Sequence, residues 1–296
     1  MNDARGGLLI GFAAALTTAT IWASWYVLTR LGVQSFDLSV VVLLRYILPV
    51  LIFAPVLFRI GIFPKGLSKL LLAIVILTGG LGFVMLAAMS LRLSPAAEVA
   101  PILPGAPPLF VALYAWLWQR ERFGAWRAIG FAMIACGLLI IVLPPIWYGG
   151  GLQLGHFAAL AAAFDWAIYT MALRRSKLGA VEVTALISFW CGLVLLPFGL
   201  PPLIEAIQAE KYAGLLLQVL IQGVATGIVA TILFAVAVRR LGGPSTTAVT
   251  ALAPVISAII AVVILHEYPQ PNALAGMAAI VAGVVLANWP RRPASG

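Results

Sequence analysis

One pattern occurs twice in this chain, 146 residues apart. Pro108, Ala112, Ala115, Glu121, Gly130, Ala132, Ile134 and Gly137 return as Pro254, Ala258, Ala261, Glu267, Gly276, Ala278, Ile280 and Gly283. Each copy reads as an apolar run, a short hydrophilic break centred on a glutamate, and a second apolar run with glycines seven apart. A weaker echo, at a spacing of 144, aligns Gly11, Ala14, Trp22, Ala23 and Arg30 with Gly155, Ala158, Trp166, Ala167 and Arg174. The chain is a duplication, so its fold must be assembled from two like units. The glycine-rich stretch near 150 is the expected join, which gives one unit over 1–148 and the other over 149–296.

The repeated hairpin is apolar on both arms, and so is the rest of the chain. Of the 296 residues 63% are hydrophobic and only 9% are charged. Apolar runs of about twenty residues recur from end to end, the length that crosses ~30 Å of hydrocarbon as helix. The fold class is therefore an all-α integral membrane protein set in a lipid bilayer. Ten transmembrane helices are predicted, over 8–29, 38–58, 69–90, 96–118, 126–145, 154–173, 183–200, 214–238, 246–265 and 272–289. The breaks between them are brief and rich in Gly and Pro, leaving no loop long enough to fold as a separate domain. The formal charge of +9 is not the mark of a nucleic-acid partner, because the basic residues sit in these breaks and form no continuous patch. Cys136 and Cys191 lie inside apolar runs, which argues against a disulfide framework. The first run is too long for a signal-peptide core and is read as the first span.

Assigning Lys and Arg to alternate sides of the membrane gives fourteen on the side of the N-terminus against three on the other, with Arg45 left inside a span. Both termini are therefore expected in the cytoplasm. Five spans per unit is an odd number, so the second unit enters the bilayer from the opposite side. The prediction is two inverted five-helix repeats. The hairpin loops agree with it: Gln119-Arg120-Glu121-Arg122 falls on the inner side, and Leu265-His266-Glu267-Tyr268, which has no arginine, on the outer.

Inverted helical repeats characteristically hold a substrate near the midplane, between the halves, with access alternating between the two sides. Thr18, Trp22, Trp25, Tyr26 and Thr29 form one stripe of aromatic and hydroxyl groups at helical spacing. Asp165, Trp166, Tyr169 and Thr170 do the same on the equivalent span, and Gln218, Gln222 and Thr226 make a polar stripe on span eight. These stripes read either as a substrate lining or as contacts between helices. Arg45, Glu98 and Asp165 are charges within spans, where burial in hydrocarbon is costly without a partner or a water-filled cavity. Arg45 and Glu98 both fall toward the outer side, where they can pair with each other or bind a zwitterion. Asp165 lies near mid-span, where it is protonated, hydrogen-bonded or part of proton coupling. Pro101, Pro104, Pro107 and Pro108 predict a kinked span four beside the pathway. Phe83 and Pro101 complete the candidate substrate set of Trp22, Trp25, Tyr26, Arg45, Glu98, Asp165, Trp166, Tyr169, Gln222 and Thr226. Gly223 to Gly227 is a GxxxG spacing, and Gly79, Gly80 and Gly82 thin span three, so backbones are expected to approach closely there.

Enzyme signatures are missing from the sequence. His266-Glu267 is not followed by the second histidine of a zinc-protease motif, His156 stands alone at a span end, and the glycines at 149–151 precede no Lys-Ser/Thr pair. No cofactor or metal is expected. Trp22-Ala23-Ser24, Arg45-Tyr46, Pro108 with Glu121, Trp166-Ala167 with Arg174-Arg175, and Pro254 with Glu267, in this order and twice over, resemble the drug/metabolite transporter superfamily and its EamA-type repeat. Gly155-His156-Phe157 and the run from Phe164 to Thr170 resemble the YddG-type aromatic amino acid exporters of bacterial inner membranes. That resemblance implies export of aromatic and other neutral amino acids through a central cavity between the halves, with Trp22, Trp25, Tyr26, Trp166 and Tyr169 facing the ring and Arg45 or Gln222 the carboxylate. A cationic drug also suits such a lining, and a non-transporting scaffold or an intramembrane enzyme is the alternative from another class. One chain holds both halves, so a monomer suffices.

Overall fold

The computed structural model describes residues 2–148 and 153–288; the predicted join near 150, the last residue of the predicted tenth span and Arg291 and Arg292 lie outside the described residues. The first rod is α1 (Asn2–Ser35). The second is α2 (Leu38–Ile52) with α3 (Ala54–Ile60), bent by 68° at the break. In the third, α4 (Lys69–Ile76) passes through a π-helical turn, π1 (Leu77–Leu81), into α5 (Gly82–Leu93). Three short helices make the fourth: α6 (Ala96–Val99), α7 (Ile102–Gly105) and α8 (Pro107–Leu117). The long α9 (Ala125–Tyr148) follows.

Past the join come α10 (Gln153–Ser176) and α11 (Ala180–Gln208), then α12 (Tyr212–Gln218), π2 (Val219–Val229) and α13 (Ala230–Leu241) in one line. The chain closes with α14 (Gly243–Thr250), α15 (Ala253–Leu265) and α16 (Pro271–Ala287). Among the described residues seven helical rods are long and apolar enough to cross a bilayer, an eighth if the bent α2–α3 pair is one span, while α15 and α16 are shorter apolar helices. The even series of ten predicted rods thus becomes uneven, because a bend divides the second and a break before Ala253 shortens the ninth. Span seven also outruns its predicted end at 200, since α11 continues through Pro197, Pro201 and Pro202 to Gln208.

Local chemistry explains the ends. Asp37 caps α2 by accepting the Ser39 amide at 2.8 Å, and its bond from the Ser39 hydroxyl holds its carboxyl below the usual carboxylate range. Pro101 falls at the break between α6 and α7, and Pro107 and Pro108 open α8, as steric clash with the preceding turn requires; Pro104 lies inside the short α7. Ile102, Leu103 and Ala106 are nonetheless fully buried, so the broken backbone is enclosed by protein and not by lipid. The outer faces are apolar: Leu9 is 70% exposed and Phe58 89% exposed. Trp118, Trp126, Tyr212 and Tyr268 stand exposed near rod ends, where an aromatic belt meets a membrane surface. This is a lipid-facing bundle.

Small residues set how the rods pack. A Cβ on Gly130 would come within 2.7 Å of the Gly283 carbonyl, and one on Gly137 within 2.6 Å of the Gly276 carbonyl. Rising numbers on α9 meet falling numbers on α16, so these duplicated helices lie antiparallel, and each glycine of one copy faces the other glycine of the second copy. The GxxxG stretch packs as its spacing predicts, with Gly223 against Leu44 and Leu48 and Gly227 against Pro49. In the third rod Gly79 leaves room for the Tyr169 ring, Gly80 for Cys191 and Ile187, and Gly82 for the Asp165 carboxylate. Cross-half contacts therefore couple the third rod to α10 and α11, and likewise π2 and α13 to α1 and α2.

Candidate functional site

These close approaches bring the predicted aromatic stripes together. Trp25 and Tyr26 on α1 are buried at 2% and 5% exposure, with ring centroids 5.1 Å apart. Phe83, at the start of α5, stacks on Trp25 at 6.1 Å and meets Trp166 of α10 at a tilt, 4.7 Å away. Trp166 in turn meets Tyr169 at 4.9 Å. One unbroken run of rings thus passes from the first half to the second, and Phe83 is its bridge. Gly79 and Gly82 permit this, because a side chain at either would collide with Tyr169 or Asp165.

Two charges lie beside the run. The Arg45 guanidinium lies over the Trp25 ring, 4.8 Å from its centroid, and its Nη1 is buried without a hydrogen-bond acceptor among the described residues. A cation on an aromatic face gains from the ring quadrupole but keeps its demand for an acceptor. Asp165 sits beside Gly82, next to the Phe83 bridge, partly exposed, as are Trp166 and Tyr169. The arrangement offers a positive group, a flat apolar surface and a negative group along one seam.

Other predicted site residues have different surroundings. Arg45 and Glu98 do not pair: the Glu98 carboxylate lies 3.5 Å from Nε2 of His156, which is 1% exposed and so does not stand alone. The reason is register, since α6 places Glu98 against α10 while Arg45 on α2 turns to α1. Trp22 leaves the ring run and packs on Phe234 at 5.3 Å. Pro101 is buried at the break between α6 and α7. Gln222 is fully occupied: its Oε1 accepts from Trp25 Nε1 at 2.6 Å, and its Nε2 donates to Thr29 Oγ1 at 2.8 Å and to Gln218 Oε1 at 3.3 Å. Thr226 donates to the Ile221 carbonyl at 2.6 Å, inside π2. Gln222 therefore fixes the tilt of the Trp25 indole.

Sequence reasoning missed one constellation. The Arg30 and Glu267 side chains form an ion pair between the halves, with Arg30 Nη1 donating to the Leu91 carbonyl at 2.6 Å and the Ala96 amide donating to Glu267 at 2.7 Å. Both residues stood out as repeat anchors, and their equivalence to Arg174 and Glu121 was the available signal. Two open hollows, of 510 and 600 Å³, lie away from the ring run, around the α1–α2 loop and the ends of α11 and α12.

A lipid-facing helical bundle, with charge and aromatic surface buried along an internal seam, defines a multi-pass membrane transporter for a small molecule. The chain belongs to the EamA-like transporter family, whose profile matches it twice, over residues 9–143 and 153–289. Members of this family carry solutes and are not enzymes. A probable terminal-alkyne amino-acid exporter of Streptantibioticus cattleyicolor is 26% identical over 280 residues, spanning 93% of this chain and 92% of that one. The uncharacterized transporter YvbV of Bacillus subtilis is 26% identical over 61% of this chain and 59% of its own. A solved crystal structure aligns over 96% of this chain and 97% of its own with a TM-score of 0.54 at 20% identity, a likeness of fold.

Proposed function

We propose that this protein is a secondary transporter that exports aromatic and other neutral amino acids. Its ten spans form two inverted five-helix units, 1–148 and 149–296, in a bacterial inner membrane with both termini cytoplasmic. The antiparallel packing of the duplicated α9 and α16 supports the inversion, and the lopsided distribution of Lys and Arg supports the orientation. The observation that carries the substrate is the ring run from Trp25 to Tyr169 beside the Arg45 guanidinium, whose Nη1 has no hydrogen-bond acceptor among the described residues. A substrate ring packs on this run with its carboxylate at the open Nη1 of Arg45. Likeness to a protein named as an amino-acid exporter supports the same class. The pathway opens as the halves rock and the rings part, and a single chain suffices.

Purified protein in liposomes is expected to exchange labelled phenylalanine or tryptophan, and indifference to a panel of amino acids would overturn the substrate. Reporter fusions at positions 120 and 266 are expected on opposite sides of the membrane; the same side for both would overturn the inversion. Efflux of aromatic cations is the second reading, supported by the Asp165 carboxylate at Gly82, the residue before Phe83. It predicts drug resistance on overexpression with no amino acid flux.

A further inference from the structure

The two hairpin loops of the duplication share one backbone. Arg120 and His266, 146 residues apart, both take left-handed conformations, with φ of 53° and 54°. The following amides bond back alike, Glu121 to the Ala115 carbonyl at 3.0 Å and Glu267 to the Ala261 carbonyl at 3.3 Å. Both glutamates therefore leave their loops in the same way. Their partners differ.

Glu267 reaches across the seam. It takes the guanidinium of Arg30 and the first-turn amide of Ala96, while Arg30 also holds the Leu91 carbonyl. One carboxylate of the second half thus ties α1, α5 and α6 of the first half together. The side chains are only 13% and 17% exposed, so the pair works away from water. Glu121 stays at home, bonded at 3.1 Å to Arg127 six residues along its own chain, with the two side chains 43% and 39% exposed. Arg174, the counterpart of Arg30, is exposed and joins no ion pair among the described residues. An exposed pair such as Glu121–Arg127 is weak and easily exchanged.

We propose that Arg30–Glu267 and Arg174–Glu121 are the two gates of the transporter, closed in turn, and that this structure has the first shut and the second open. The proposal rests on the inverted halves of the preceding section. In the opposite state Glu267 releases Arg30, and Glu121 exchanges Arg127 for Arg174. Arg127 sets the balance, because it competes for Glu121 in the open state alone. Its equivalent in the second half is Ala273, so Glu267 has no such competitor. A contact made in one state and absent from the other shifts the population toward its own state. The resting protein therefore favours the gate seen closed.

Spin labels on a background with Cys136→Ser and Cys191→Ser test this in liposomes. One pair, at Arg92→Cys and Tyr268→Cys, spans the Glu267 gate, and another, at Trp118→Cys and Lys177→Cys, spans the Glu121 gate. Glu267→Gln is expected to lengthen the first distance and shorten the second, shifting the ratio of states about tenfold. Arg127→Ala is expected to act in the same direction, and adding Arg174→Gln to it to cancel that shift. Arg30→Lys, which keeps a cation for Glu267 and a donor for the Leu91 carbonyl, is expected to keep the original distances and serves as the control for folding. Distances that stay fixed in Glu267→Gln and Arg127→Ala, or that move alike at both faces, overturn the gates. The reporter fusions at 120 and 266 separate this failure from failure of the inversion, because gates can fail while the reporters still fall on opposite sides.

Discussion

At the residue scale, Arg45 and Gln222 divide the labour. The guanidinium of Arg45 rests on Trp25 with one nitrogen unsatisfied, so it keeps a bond to give; the amide of Gln222 has none left. Arg45→Gln is thus expected to raise KM for amino acids by roughly 30-fold or more, the worth of a dehydrated charge-assisted contact, and to leave cationic substrates unharmed. Liposome uptake of both classes checks it. Gln222→Leu strands the Trp25 indole and the Thr29 hydroxyl in a dry interior. It is expected to cost about 1–2 kcal/mol of stability, read as an earlier thermal transition in detergent, with a smaller change in KM than Arg45→Gln gives.

Among the elements, the helix joints carry the information. Gly283→Leu would drive its Cβ to within 2.6 Å of the Gly130 carbonyl, backbone that cannot rotate aside. Such overpacking is expected to cost ~1–3 kcal/mol and to lower the unfolding midpoint, whereas a leucine at the exposed Gly66, with no atom nearby but a φ of 80°, reports backbone strain alone. The glycines of α9 and α16 were legible in the sequence because duplication marks them twice, and the breaks in the fourth rod because proline has no other reading at that density. π1 and π2 were not legible. They occupy the third rod of each half, where glycines let neighbouring helices press in, and a one-residue excess in winding leaves no trace in apolar periodicity. The partner of Glu98 was hidden for a related reason. Which side of α6 faces α10 depends on the twist accumulated across two proline breaks, which no spacing rule supplies.

For the whole molecule, the duplication decides the pattern of contacts. The third rod lies on α10 as π2 and α13 lie on α1, one pairing being the counterpart of the other in the repeat, while α2 with α11 and α9 with α16 pair across the centre with their own counterparts. The aromatic stripes of Trp25 and Trp166 meet because this pattern brings them together, and sequence alone announced both stripes but not Phe83's role as their bridge. The glycine joint of α9 and α16 has a further consequence. Since each helix offers the same two notches to the other, the joint is self-complementary, and neither piece needs the covalent link at the centre to find it. Severed fragments 1–148 and 149–296, made as separate polypeptides, are expected to co-purify, and Gly137→Leu to lower the yield of the pair. The tether would then set only the dose of one fragment against the other.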